Sequence, residues 1–144
     1  IFAPFAGDLV DRIGRRASLM VLGSLILIPA HLLMGITHWS PIPMMIMLGA
    51  AFVLVPAAMW PSVPLVVDEK RVGTAFGLMT AIQNMGLGLF PYLNGKLRDL
   101  TGSYTATQVM FAGLGIAGLI FAFLLLRSDK RLGGVLEAGH AKES

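Results

Sequence analysis

The charged residues of this chain fall in short clusters, and the stretches between the clusters are almost wholly apolar. Five such stretches can be read. Residues 1–10 look like the end of a membrane helix that begins upstream. Residues 17–37 contain no Asp, Glu, Lys or Arg. They number about 21, enough to cross a hydrocarbon layer that needs ~20 helical residues. Residues 42–67 form a second uncharged run, 72–94 a more polar one, and 105–126 a last run rich in small residues. The pattern predicts one partial and four complete transmembrane helices. From 127 to 144 the chain is polar and reads as a solvated, mobile tail.

Several positions inside the runs stand out. Pro29 predicts a kink in the 17–37 helix. His31 is the only titratable group there. It would serve as a proton relay or, in the reading favoured here, bond a neighbouring helix. The 42–67 run carries Pro56, Pro61 and Pro64. Carbonyls freed by proline are tolerated in a membrane only against protein or a watery cavity. Phe52, Pro56, Trp60 and Pro64 recur every four residues and share one face. Trp60 is a candidate to stack on a substrate or close a gate; the alternative is a packing tryptophan. Met44, Met45 and Met47 are adaptable apolar filler.

In the 72–94 run, Gly73 and Gly77 make a G-x-x-x-G pair and Gly86 adds a further small position, which suits close helix packing. Thr80, Gln83 and Asn84 lie near the middle of that span. Polar groups at that depth need partners. They would bond a substrate or gate, or hold helices together. Thr80 and Asn84 share a face, with Gln83 beside them.

Composition sets the class. The chain is 56% hydrophobic and 13% charged, against about 25% charged in soluble domains. It is an integral membrane protein by that measure. Its net charge of +3 does not suggest nucleic acid, because no basic face interleaves with aromatics. There is no Cys, which excludes disulfides and thiolate metal sites. No Ser/His/Asp set, intramembrane carboxylate pair, His cluster or phosphate-binding loop is visible, so the expectation is no enzyme, no cofactor and no metal.

Charge also sets topology. Arg12, Arg15, Arg16, Lys70, Arg71, Arg127, Lys130, Arg131 and Lys142 fall on one side, and only Lys96 and Arg98 on the other. The positive-inside rule places the first side, with the tail, in the cytoplasm.

The most specific motif is GDLVDRIGRR, from Gly7 to Arg16. Gly7 permits a close approach and Gly14 a sharp turn. Asp11 can face a helix N-terminus or pair with a cation. Arg12, Arg15 and Arg16 hold the loop in the cytoplasm. Gly7, Asp11 and Gly14 are echoed by Gly95, Asp99 and Gly102, each 88 positions later. Three spans separate the copies, so they lie on opposite sides of the membrane, as an inverted repeat of three helices requires. Leu100, Ser103 and Tyr104 replace the three arginines in the second copy.

The motif G-x-x-x-D-[RK]-x-G-[RK]-[RK] resembles the signature loop of the major facilitator superfamily. The resemblance implies an all-α membrane fold: helices 8 to 12, the C-terminal half of a twelve-helix transporter built from inverted three-helix repeats, over residues 1–126. Met59–Trp60–Pro61, Gly73–Gly77 and Ile82–Gly86 are similar to the branch that contains the lysosomal dipeptide uniporter. By this resemblance Trp60 lines or flanks the central cavity, Gln83 and Asn84 lie near the interface between halves, and Gly7, Asp11, Arg12, Gly14, Arg15 and Arg16 act as a conformational latch. The implied function is secondary transport of small solutes, dipeptides among them, by alternating access. Its partners are membrane lipid, a small-molecule substrate and the missing N-terminal six-helix half. The alternatives are a proton-coupled drug or sugar/organic-anion porter, or, in another class, a non-transporting membrane sensor or assembly partner.

Overall fold

A computed structural model describes residue 10 and residues 13–37 and 40–138. Among these residues there is no strand. The chain forms α1 (Arg16–Ile36), α2 (Ile42–Val66), a single 3₁₀ turn (Glu69–Arg71), α3 (Val72–Thr101) and α4 (Thr105–Arg131). Three of the four helices, α1, α2 and α4, are long and apolar enough to cross a membrane. The fourth, α3, was expected to span at 72–94. It runs 30 residues to Thr101, about 45 Å at 1.5 Å per residue, and its polar middle keeps it out of that group.

Helix α1 is the centre of the molecule and packs on α4 and on α2. Between membrane helices the packing must come from close backbone approach and interhelical bonds rather than from the hydrophobic effect. The glycines here serve that approach. A Cβ on Gly23 of α1 would collide with Val55 of α2. One on Gly115 of α4 would sit 3.0 Å from Ile28 of α1, and one on Gly35 would sit 2.9 Å from Gln108. Val10, Met20, Ala58 and Ala122 form the buried cluster nearest the signature loop, with Leu19, Leu54 and Leu125 against it. Pro29 stays inside α1, and Pro56, Pro61 and Pro64 inside α2.

Helix α3 stands away from this bundle, and none of its residues is buried. Its contacts with α2 and α4 include two between aromatic rings. Trp60 of α2 stacks on Phe76, centroids 5.6 Å apart. Phe90 meets Phe111 of α4 at 6.3 Å. Phe76 and Phe90 stand 14 positions apart, about 21 Å of helix.

The polar stretch from 127 departs from its expected form as a solvated tail. Helix α4 continues to Arg131, and residues 132–138 fold back on the bundle. Gly133 and Gly134 take positive φ values of 107° and 73°, a backbone that glycine adopts without penalty. The N–H of Gly134 then donates to the carbonyl of Asp129 at 2.8 Å. Leu136 ends 1% exposed. A composition that is polar on average conceals one leucine whose burial anchors the whole turn.

Candidate functional site

The signature loop enters α1 through two consecutive left-handed residues, Gly14 (φ 64°) and Arg15 (φ 49°). Arg15 is the sole non-glycine residue with positive φ among those described, a conformation that costs an L-residue about 1–2 kcal/mol. Gly14 N–H donates to Val10 O at 2.9 Å. Gly7, Asp11 and Arg12 lie outside the described residues.

Arg15 offers no side-chain cap to α1, and the first turn of α1 holds no acidic residue. The cap comes from the far end of the chain. Glu137 accepts the Ser18 N–H on Oε1 and the Ser18 hydroxyl on Oε2, each at 2.8 Å. A carboxylate there satisfies an otherwise unpaired helix N–H and meets the positive end of the helix dipole. The neighbouring backbone completes the clasp. Arg16 N–H donates to Leu136 O at 2.8 Å, and Leu136 N–H donates to Asp129 Oδ1 at 2.9 Å. Arg16 and Asp129 are each 6% exposed. The start of α1 just after the signature glycine is therefore held by the segment 129–137, through the backbone of Arg16 and through Ser18. Sequence reasoning missed Ser18, Asp129, Leu136 and Glu137; the Gly133–Gly134 pair, followed by Leu136 and Glu137, was the available signal of a chain reversal.

The second candidate surface is on α3. Trp60, stacked on Phe76, sits at one end of it. Thr80 donates its hydroxyl to Phe76 O at 2.8 Å, which leaves the oxygen's two lone pairs as acceptors. Gln83 and Asn84 are exposed, and neither side chain has a hydrogen-bond partner among the described residues. The structure thus brings Trp60 and Thr80 together through Phe76. It leaves Gln83 and Asn84 exposed and bonded to none of the described helices. Gly73 and Gly77 meet nothing within 4 Å, and Gly86 meets only Phe90 of its own helix at 3.6 Å. The close approach within the described chain runs through Gly23, Gly35 and Gly115 instead.

His31 belongs to neither surface. Its Nδ1 pairs with Gln108 Oε1 of α4 at 2.7 Å, and its ring stacks on Phe111 at 5.3 Å. One turn further on, the Thr105 hydroxyl donates to Gly35 O at 3.1 Å. These bonds tie α1 to α4 at the end opposite the clasp. No group of three His, Cys, Asp or Glu among the described residues could hold a metal ion.

The family model described as Major Facilitator Superfamily matches residues 1–143. Curated relatives agree over most of the chain. The lysosomal dipeptide transporter MFSD1 of Danio rerio is 33% identical over 142 residues, 99% of this chain and 31% of the relative. The proteins of the same name from Gallus gallus and Homo sapiens are each 32% identical over 134 residues, 93% of this chain and 30% and 29% of the relatives. The chain spans about a third of the length of these relatives. No solved structure matches it significantly.

Proposed function

The chain belongs to the major facilitator superfamily, and on that premise we propose that it supplies the C-terminal part of a multi-pass secondary transporter that moves small solutes, dipeptides among them, by alternating access. The observation that carries this reading is the open polar face of α3. Thr80, Gln83 and Asn84 present neutral donors and acceptors beside the Trp60–Phe76 stack. Neutral amides match the N–H and C=O groups of a peptide bond, and an aromatic wall suits its side chains. The likeness to the dipeptide transporters across 93–99% of the chain supports the same substrate class.

Neither α1 nor α2 contains a carboxylate, and the first in α3 is Asp99, near its end. A membrane proton carrier is usually an Asp, Glu or His held in the bundle interior. His31 is engaged with Gln108 on another helix pair. These facts favour uniport. In this reading α3 docks through Gly73 and Gly77 on the N-terminal half, whose helices complete the cavity. The signature loop, with Asp11 and its arginines, latches that half in one of two states. The loop and the 129–137 clasp face the cytoplasm in this reading, supported by the side bias of nine of the eleven cations. No catalytic reaction is assigned.

Counterflow into proteoliposomes that contain the full-length protein tests the proposal, with a labelled dipeptide and with or without a pH gradient. Saturable exchange indifferent to the gradient is expected. Exchange that appears only with a gradient would establish the proton-coupled reading. Dipeptide binding with no flux under either condition would establish a sensor.

A further inference from the structure

Helices α1 and α4 enclose a groove of about 420 Å³ to which α2 contributes no residue. Val21 and Leu25 of α1 and Leu119, Ile120, Phe123 and Leu124 of α4 line it. Leu124 also forms one wall of a second cavity of about 400 Å³, lined otherwise by Arg127, Ser128 and Arg131. The two cavities are joined chemically as well. The Arg127 guanidinium lies 5.4 Å from the ring centroid of Phe123, so a wall residue of the apolar groove carries the cation at its mouth.

Nothing within the described chain neutralises that mouth. Arg127 and Arg131 are exposed and form no ion pair among the described residues. They stand one helical turn apart on one face. The nearest carboxylate in sequence, Asp129, is buried and accepts Leu136 N–H on the other side of α4. Length fits too. Eight residues separate Leu119 from Arg127, about 12 Å of helix, most of the ~15 Å depth of one leaflet.

We propose that this is a binding site for an anionic phospholipid, with an acyl chain in the α1–α4 groove and the phosphate between Arg127 and Arg131. Guanidinium groups bind phosphate oxygens in pairs, and the Ser128 hydroxyl adds a donor at the same cavity. An ordinary lipid would cover the apolar groove equally well. The unpaired arginine couple is what selects negative charge. The site lies away from the α3 surface and does not depend on which solute is carried.

Native mass spectrometry of the full-length protein in equal phosphatidylglycerol and phosphatidylcholine tests this. Phosphatidylglycerol should be retained preferentially. Arg127→Gln and Arg131→Gln should each reduce the preference about fivefold, roughly 25-fold together. Arg127→Lys with Arg131→Lys should keep most of it and shows that loss follows charge, not misfolding. Ile120→Trp, which fills the groove and leaves both arginines, should reduce retention of lipid at this site. Equal retention of the two lipids by the native protein would overturn the proposal. So would an unchanged preference in the double glutamine variant. Displacement of the lipid by soluble glycerol phosphate at equal concentration would also overturn it, because the arginines would then be binding free phosphate alone.

Discussion

Glu137 and Ser18 stand 119 positions apart and meet in two hydrogen bonds of 2.8 Å. The pair closes the described chain on itself, end to end, at the one helix start that follows the signature loop. The carboxylate does for α1 what an N-cap side chain does within a single helix, accepting the N3 backbone N–H, from the opposite end of the sequence. Glu137→Ala removes both bonds and the negative charge. It should lower stability by about 1–2 kcal/mol, the sum of a lost cap and a lost dipole interaction. Glu137→Gln keeps an acceptor and should cost about half as much. Thermal unfolding of the full-length protein, monitored by a thiol-free fluorescence readout, checks the ranking. Equal melting temperatures for the native protein and Glu137→Ala would show that the clasp adds nothing to stability.

Asp129 organises the other side of the same clasp. Its Oδ1 is the acceptor for the Leu136 N–H, and its carbonyl accepts Gly134 and Leu132. Asp129→Ala leaves a buried N–H without a partner, a cost of about 1–3 kcal/mol. The segment 132–138 should then open and become cleavable. Limited proteolysis should cut the variant there well before the native protein, and Asp129→Asn, which retains an acceptor oxygen, should fall between.

Gly14 and Gly102 show how far an internal echo in the sequence reaches into the backbone. Their φ values are 64° and 65°. Gly14 N–H donates to Val10 O at 2.9 Å and Gly102 N–H to Arg98 O at 2.8 Å. The same left-handed glycine cap closes a helix end at both positions, 88 residues apart. Substitution by alanine should cost about 1–2 kcal/mol at either site, and asparagine, which tolerates the left-handed region, less. Denaturation midpoints that move for one alanine variant and not for the other would break the equivalence.

That legibility has a physical limit. The absence of charge from 17–37 and 42–67 marks α1 and α2 because a membrane penalises charge at every position along a span. The glycines at 14 and 102 are legible because backbone conformation is a local property. Glu137 and Ser18 are bound by neither rule. Their contact depends on a chain reversal at Gly133–Gly134 and on the burial of Leu136, which average polarity hides. Glycine spacing likewise marks where helices can approach, but not which approach is made. Gly73 and Gly77 have the familiar spacing and open space around them, whereas Gly23, Gly35 and Gly115 meet a neighbouring helix without it.

The two sets of glycines therefore respond differently to added bulk. Gly23→Leu must displace Val55 and should destabilise by about 1–3 kcal/mol, as overpacking does. A Cβ at Gly77 meets nothing within 4 Å in the described chain, and Gly77→Leu would gain a better helix former. In the full-length protein the proposed docking of α3 on the other half removes that freedom. Gly77→Leu should then reduce counterflow at least tenfold while leaving membrane expression intact. Full counterflow in that variant would place the Gly73–Gly77 face toward lipid and away from the partner half.

Asn84 and Gln83 decide whether α3 carries substrate. Both side chains are exposed and unbonded within the described chain, and in the proposed transporter each needs a partner away from bulk water. If the partner is a peptide solute, Asn84→Ala and Gln83→Ala remove one hydrogen bond each. A neutral bond is worth about 0.5–1.5 kcal/mol, so the KM for dipeptide counterflow should rise about 2- to 10-fold with little change in maximal rate. Trp60→Ala, which dismantles the stack on Phe76, should act in the same direction. If the partner is a helix of the other half, the amides are structural. Their removal would then lower the melting temperature and leave KM where it was. KM and melting temperature measured on the same variants separate the two roles, because a bond to a solute that comes and goes cannot stabilise the empty transporter.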